Sequence, residues 1–157
     1  MKQFLNFNSL IESKQISGWG RKSFVESKSL KLESEQGIKD FIKGSYTSSL
    51  ITRGLGRSYG DAAQLKENFI LNVNFSQSIS ISGNQLTVGG GVSIEKVLEA
   101  IVPLGYFLPV SPGSAKVTIA GAIAADVHGK NHHKDGSLGN HVSRILLIDG
   151  RGDIQEL

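Results

Sequence analysis

Arg53-Gly54-Leu55-Gly56-Arg57-Ser58-Tyr59-Gly60-Asp61 is the stretch on which the fold assignment turns. It follows Ser49 to Arg53, a short run that reads as a strand. Its glycines let the backbone turn sharply and present successive N–H groups as a nest for phosphate oxygens. A diphosphate is the natural ligand of such a nest, with Ala62 and Ala63 continuing the loop. The spacing G-x-G-x-x-x-G misses the dinucleotide fingerprint G-x-G-x-x-G by one residue, and no helix is predicted to open directly after it. A conventional NAD-binding Rossmann unit is therefore disfavoured. The plain alternative is a glycine-rich surface turn with incidental arginines.

Two further clusters lie downstream. From Pro112 to Ala125 most residues are Gly, Ala or Ser, so backbone could approach a flat ligand with few side chains intervening. Tight packing of a helix on a sheet would use the same residues. Between Asp126 and His141 fall all four histidines of the chain, His128, His132, His133 and His141, with Lys130 and Lys134. These histidines lack the H-E-x-x-H arrangement that places two metal ligands on one helical face, so no metal site is expected. What remains is either a solvated polar loop or an active-site loop in which His and Lys handle protons or an anionic substrate.

Around these clusters the chain alternates short strands and helices. Ser34 caps a predicted helix carrying Ile38, Phe41 and Ile42 and ending near Gly44. Phe69 to Val73 reads as a strand. Ser78 to Ser82 and Gln85 to Val88 alternate around Gly83-Asn84 as a hairpin. Ser93 caps a helix with Ile94, Val97, Leu98 and Ile101 on one face, ended by Pro103 and Gly105. Val142 to Ile148 is a predicted strand, Asp149 to Gly152 a turn, and Ile154 to Leu157 the start of a return strand. Residues 1–30 show no clear period, and Gly18-Trp19-Gly20-Arg21 stands out as a possible anchor of that arm on the body.

The 157 residues are 39% hydrophobic and 20% charged, which excludes disorder as the main description. Without cysteine there is no disulfide, thiolate zinc site, iron–sulfur cluster or cysteine nucleophile, and the redox compartment stays open. Seventeen Lys and Arg against 14 Asp and Glu give a formal charge of +3, scattered along the chain rather than striped, so nucleic acid is not an expected partner. No stretch reads as a secretory signal or approaches the ~20 apolar residues of a membrane span. The outlier is glycine, 19 residues where average usage of about 7% gives roughly 11.

With the three clusters and Gly18-Trp19-Gly20-Arg21 in their observed order, the sequence resembles the FAD-binding oxidoreductases of the vanillyl-alcohol oxidase type. Within them it resembles most the branch of polyprenylphosphoryl-ribose 2-oxidases. The loop from His128 to Asn131, extended by His132-His133 and by Gly136-Ser137-Leu138-Gly139-Asn140-His141, is the most specific part of the likeness. The resemblance implies an α+β, PCMH-type FAD-binding domain: a small α/β subdomain followed by the start of a mainly antiparallel β subdomain. Residues 1–30 form an arm and residues 31–157 part of the FAD-binding domain, with the substrate domain outside the chain. Because the family runs to greater length, the 157 residues are expected to be part of a longer protein, and by themselves inactive.

The resemblance further implies that Arg53 to Ala63 wrap the FAD diphosphate. It places Gly113, Ser114, Thr118, Ile119, Ala120, Gly121 and Ala124 along the flavin, and His128, Gly129, Lys130 and Asn131 beside its ring. His128 and Lys130 are the implied catalytic pair. Many relatives tether FAD through histidine in R-G-x-G-H-S; here Arg57 stands in that region, so noncovalent FAD is implied. Ala120 and Ser114 replace the usual glycine and threonine. The implied reaction oxidises a secondary hydroxyl of a sugar, foremost the 2'-OH of a polyprenylphosphoryl-β-D-ribose, with hydride passing to flavin N5. A short-chain reductase partner would complete an epimerisation. The alternatives are an FAD-linked oxidase of another sugar alcohol, aldonolactone or glycan precursor, and a truncated non-catalytic module. The expected location is the cytoplasm, with peripheral membrane attachment and a periplasmic address left open.

Overall fold

The structure, a computed structural model, describes residues 7–44, 49–73 and 77–157. The chain folds as two compact units, the first comprising residues 1–73 with 148–154 and the second residues 74–147 with 155–157.

The first unit is built on a four-stranded mixed sheet. Strands β1 (Ile11–Ser17) and β2 (Phe24–Leu32) pair antiparallel, Ile11 opposite Leu30 and Ser17 opposite Phe24. Helix α1 (Glu35–Gly44) then leads to β3 (Leu50–Arg53), and β4 (Phe69–Val73) inserts parallel between β2 and β3, giving the order β1-β2-β4-β3. Ser34 caps α1, its hydroxyl accepting from the Gly37 N–H at 3.0 Å, and the apolar stripe of α1 buries Ile38 and Phe41. Phe41 meets Phe7 and Phe69 edge-on, with ring centroids 5.3 and 5.2 Å apart. Leu30 and Leu32 of β2 and Ile70 and Leu71 of β4 are also buried. Residues 1–30, aperiodic in sequence, thus supply two of the four strands.

In the second unit β5 (Ile79–Ser82) and β6 (Gln85–Val88) form the expected hairpin, Ile79 opposite Val88. Gly83 takes φ +56° at its turn, a value L side chains avoid. Helix α2 (Ile94–Ile101) starts at Ser93, whose hydroxyl accepts from Lys96 N, and buries Ile94, Val97 and Ile101. A 3-10 turn over Val102–Leu104 and Gly105 at φ +83° end it. Helix α3 (Ile119–Ala124) follows, then the single turn α4 (His132–Asp135) and a 3-10 turn over Leu138–His141. Val92, Val110, Ile119, Ala122 and Leu138 close the core with α2.

Strand β7 (Leu146–Ile148) returns through the Asp149 turn to β8 (Ile154–Glu156). The expected strand from Val142 is shorter because Val142 still donates to Gly139 O, finishing the preceding 3-10 turn. The loop expected from Asp126 to His141 likewise contains helical turns. Asn131 and Asp135 draw α4 together, with the Asn131 Nδ2 donating to Asp135 Oδ2 at 2.7 Å.

Candidate functional site

In the first unit the Arg53–Ala63 loop leaves β3 and is braced from beneath. The Arg53 guanidinium donates to Ala63 O at 2.5 Å and to Ser17 O at 2.8 Å, and it occupies the space a side chain at Gly56 would need. Gly56 has φ +66°, so backbone conformation and space both call for glycine. Burial, with the like charge of Arg57 as the second cause, draws the Arg53 pKa below its ordinary value. Arg53 therefore acts as the loop's internal tie.

Among the described residues, the backbone N–H groups from 55 to 62 make no hydrogen bond to the protein. Gly54, Leu55, Ser58, Tyr59, Gly60, Asp61 and Ala62 are exposed, whereas Ala63 is buried. Arg57 sends one donor to Leu55 O at 2.6 Å, while its Nε is buried with no partner among the described residues. Unpaired N–H groups beside a fixed cation suit an oxyanion, as the nest reading requires.

In the second unit Thr118 caps α3, its Oγ1 accepting from Gly121 N at 3.1 Å. The Ile119 N–H donates to Val92 O and the Ala120 N–H to Gly90 O, so the first amides of α3 are paired within the protein. Thr118 and Ile119 turn inward, both 7% exposed. Ala120, Gly121 and Ala124 come out on one exposed face, and Gly113 and Ser114 are exposed as well. One face of the small-residue stretch thus packs on the core, and the other is exposed and carries no long side chain.

Beside it, Ser111, Pro112, Gly113, His128, Gly129, Lys130 and His132 line an open hollow of about 540 Å³. The loop can come this close because residue 129 is glycine; a Cβ there would lie 2.9 Å from Ser111 O and 2.5 Å from Asn131 Oδ1. The Ser111 Oγ is buried without a partner among the described residues. His128 and His132 lie with ring centroids 5.1 Å apart and planes tilted by 59°, each with Nδ1 facing Gly129 O, at 3.4 and 3.3 Å. Asn131 is engaged elsewhere, donating to Pro109 O and Asp135 Oδ2, and the His141 Nε2 lies 2.8 Å from Asp135 O. Both hold the loop.

Asp126 holds it from the other side, accepting from Gly139 N at 2.9 Å. A hydrogen bond from the Ser137 side chain, then that of Gly139, keeps its carboxyl below the ordinary range, with the nearby His128 adding to the effect. Ser111, Pro112 and His132 were not among the residues that the resemblance assigned to the cofactor or the chemistry. The signal for Ser111 was its place before Pro112-Gly113, where chain leaving a buried valine must turn. Among the described residues no three His, Cys, Asp or Glu side chains gather as a metal-ligand set, and no helix is long and apolar enough to cross a membrane.

The arrangement offers an anion nest in one unit and, in the other, an exposed face of small residues and a hollow lined by His128, His132 and Lys130. A family model described as FAD binding domain matches residues 30–157. The chain is 36% identical over 151 residues to decaprenylphosphoryl-beta-D-ribose oxidase of Mycolicibacterium smegmatis, covering 92% of this chain and 33% of that protein. It is 40% identical over 63 residues to an uncharacterized protein in the mprA 5' region of Streptomyces coelicolor, covering 40% of this chain and 17% of that one. The chain thus spans a third or less of the length of these relatives. Among solved structures, 6-hydroxy-D-nicotine oxidase from Arthrobacter nicotinovorans superimposes with a TM-score of 0.79 at 16% identity, over 94% of this chain and 36% of that one. That likeness establishes the fold. The chain belongs to the FAD-binding domain family, in its PCMH-type fold, and FAD is its cofactor.

Proposed function

We propose that this chain is the cofactor-binding part of an oxidoreductase that removes hydride from a secondary hydroxyl carbon of a lipid-linked sugar, foremost the 2'-OH of a polyprenylphosphoryl-β-D-ribose. The observation that carries the reading is the hollow that His128 and Lys130 line together with Gly113 of the small-residue stretch. The identity to a relative named for a decaprenylphosphoryl-ribose substrate supports the choice of sugar.

Bound FAD supplies the two-electron acceptor, flavin N5, that this oxidation needs. The residues of the chain do the rest. The amides from 55 to 62 and Arg57 hold the diphosphate, with no covalent tether. Gly113, Ser114, Ala120, Gly121 and Ala124 leave room for the planar ring. His128, oriented through its Nδ1 at Gly129 O, presents its other ring nitrogen to take the hydroxyl proton, and exposed Lys130 holds the sugar's anionic phosphate. A short-chain reductase acting on the resulting ketone would complete an epimerisation. The reading places the work in the cytoplasm, at the membrane surface where a lipid-linked substrate is met.

The test is anaerobic reduction of the flavin in the full-length protein by polyprenylphosphoryl-ribose. The wild type should bleach, and His128→Ala and Lys130→Ala should each slow bleaching by about 10²-fold or more, the scale of a lost acid–base group. Rates unchanged in both variants would remove these residues from the chemistry.

A further inference from the structure

Residues 17–19, the end of β1 and the turn after it, are fastened to the 53–63 loop at four points. Ser17 O accepts from Arg53, and Gly18 packs so closely on Gly60 that a Cβ would overlap its carbonyl oxygen. The Trp19 N–H donates to Ser58 O at 3.1 Å. Finally, the Arg57 guanidinium carbon lies 4.7 Å from the centroid of the Trp19 ring, a cation–π stack. The indole stays 53% exposed, so burial of apolar surface is not what fixes it there.

A guanidinium stacked on a ring keeps its edge N–H groups free for in-plane hydrogen bonds. One Arg57 edge donor goes to Leu55 O, across the loop, and Nε is left buried and unpaired. A charged donor held rigid and desolvated with no acceptor calls for an anionic one. We propose that Trp19 is a positioning residue that locks Arg57 against the loop, and that the free Arg57 Nε donates to a phosphate oxygen of the bound dinucleotide. The stack then keeps the diphosphate end of the cofactor in place without a covalent bond. This rests on the reading of the loop as the FAD diphosphate site.

The experiment measures dissociation constants for FAD and for ADP, which carries the diphosphate without the flavin, on the full-length protein and its variants. Arg57→Met should weaken FAD and ADP alike by about tenfold, and Trp19→Ala should do the same, the scale of a desolvated cation–π contact and its hydrogen bond. Trp19→Phe, which keeps a ring under the guanidinium, should stay within about threefold of wild type. Unchanged affinities in Trp19→Ala, or a loss in Arg57→Met confined to FAD, would overturn the proposal while leaving the cofactor site intact. Wild-type protein that binds neither compound would instead overturn the reading of the loop. Should Trp19→Ala fail to fold, the Arg57→Met comparison of FAD with ADP decides alone.

Discussion

Asp126 shows what a single residue contributes to the hollow. At φ +40° it sits in a conformation unusual for a side chain other than glycine, and its carboxylate ties down Gly139 and Ser137, which flank the strand-like bridge to His128. Because hydrogen bonds to the charged form depress its pKa in the folded state, its contribution is present above the ordinary carboxylate pKa of about 3.9. It is lost as pH falls through the lower native value. The Gly139 amide should therefore lose hydrogen-exchange protection only below that ordinary value, and Asp126→Ala should show the low protection at every pH. Equal protection in the two proteins at neutral pH would refute the tie. Little of this was legible in the sequence. Asp126 looked like the edge of a polar loop, and its importance depends on Gly139, thirteen positions away. Ser111 was hidden for the same reason, since what distinguishes it is the lack of a partner in the folded chain.

At the scale of elements, legibility followed local signals. Helix α2 was readable end to end because a capping serine, one apolar face and Pro103 with Gly105 all agree. Strand β2 was not. Its interior positions include Ser27, buried with its hydroxyl on Leu65 O at 2.7 Å, and Leu30 and Leu32 lie on the opposite parity, so no period of two emerges. Strand β1 is a largely exposed edge with apolar residues only at its ends. Helix α3 was legible in composition but not in orientation; only packing shows that Ala122 faces in and Ala124 out. That orientation yields a prediction. Ala124→Leu adds bulk at an exposed position and should shift stability by no more than about 0.5 kcal/mol. If the face is the flavin wall, the same change should weaken FAD binding by at least about tenfold, measured by titration against flavin fluorescence. A variant that binds FAD as the wild type does would leave the face as mere surface.

Across the whole molecule, the sequence suggested an arm and a partial domain made of an α/β subdomain and the start of a β subdomain, and the chain forms two compact units. The division falls at residues 73–74, 147–148 and 154–155, inside or beside regular elements, where composition does not change. The clusters of glycines and small residues were legible in the sequence because such residues have few other reasons to gather. The 19 glycines include Gly56, Gly121 and Gly129, each where a side chain would collide with the site's own framework. The central claim is that these features hold FAD without a covalent bond. It is tested most directly by purifying the full-length protein, recording its flavin spectrum and denaturing it. The account predicts a yellow protein that releases all of its flavin as FAD into the supernatant. A well-folded, colourless protein that takes up no added FAD would contradict it, as would flavin that stays with the denatured chain.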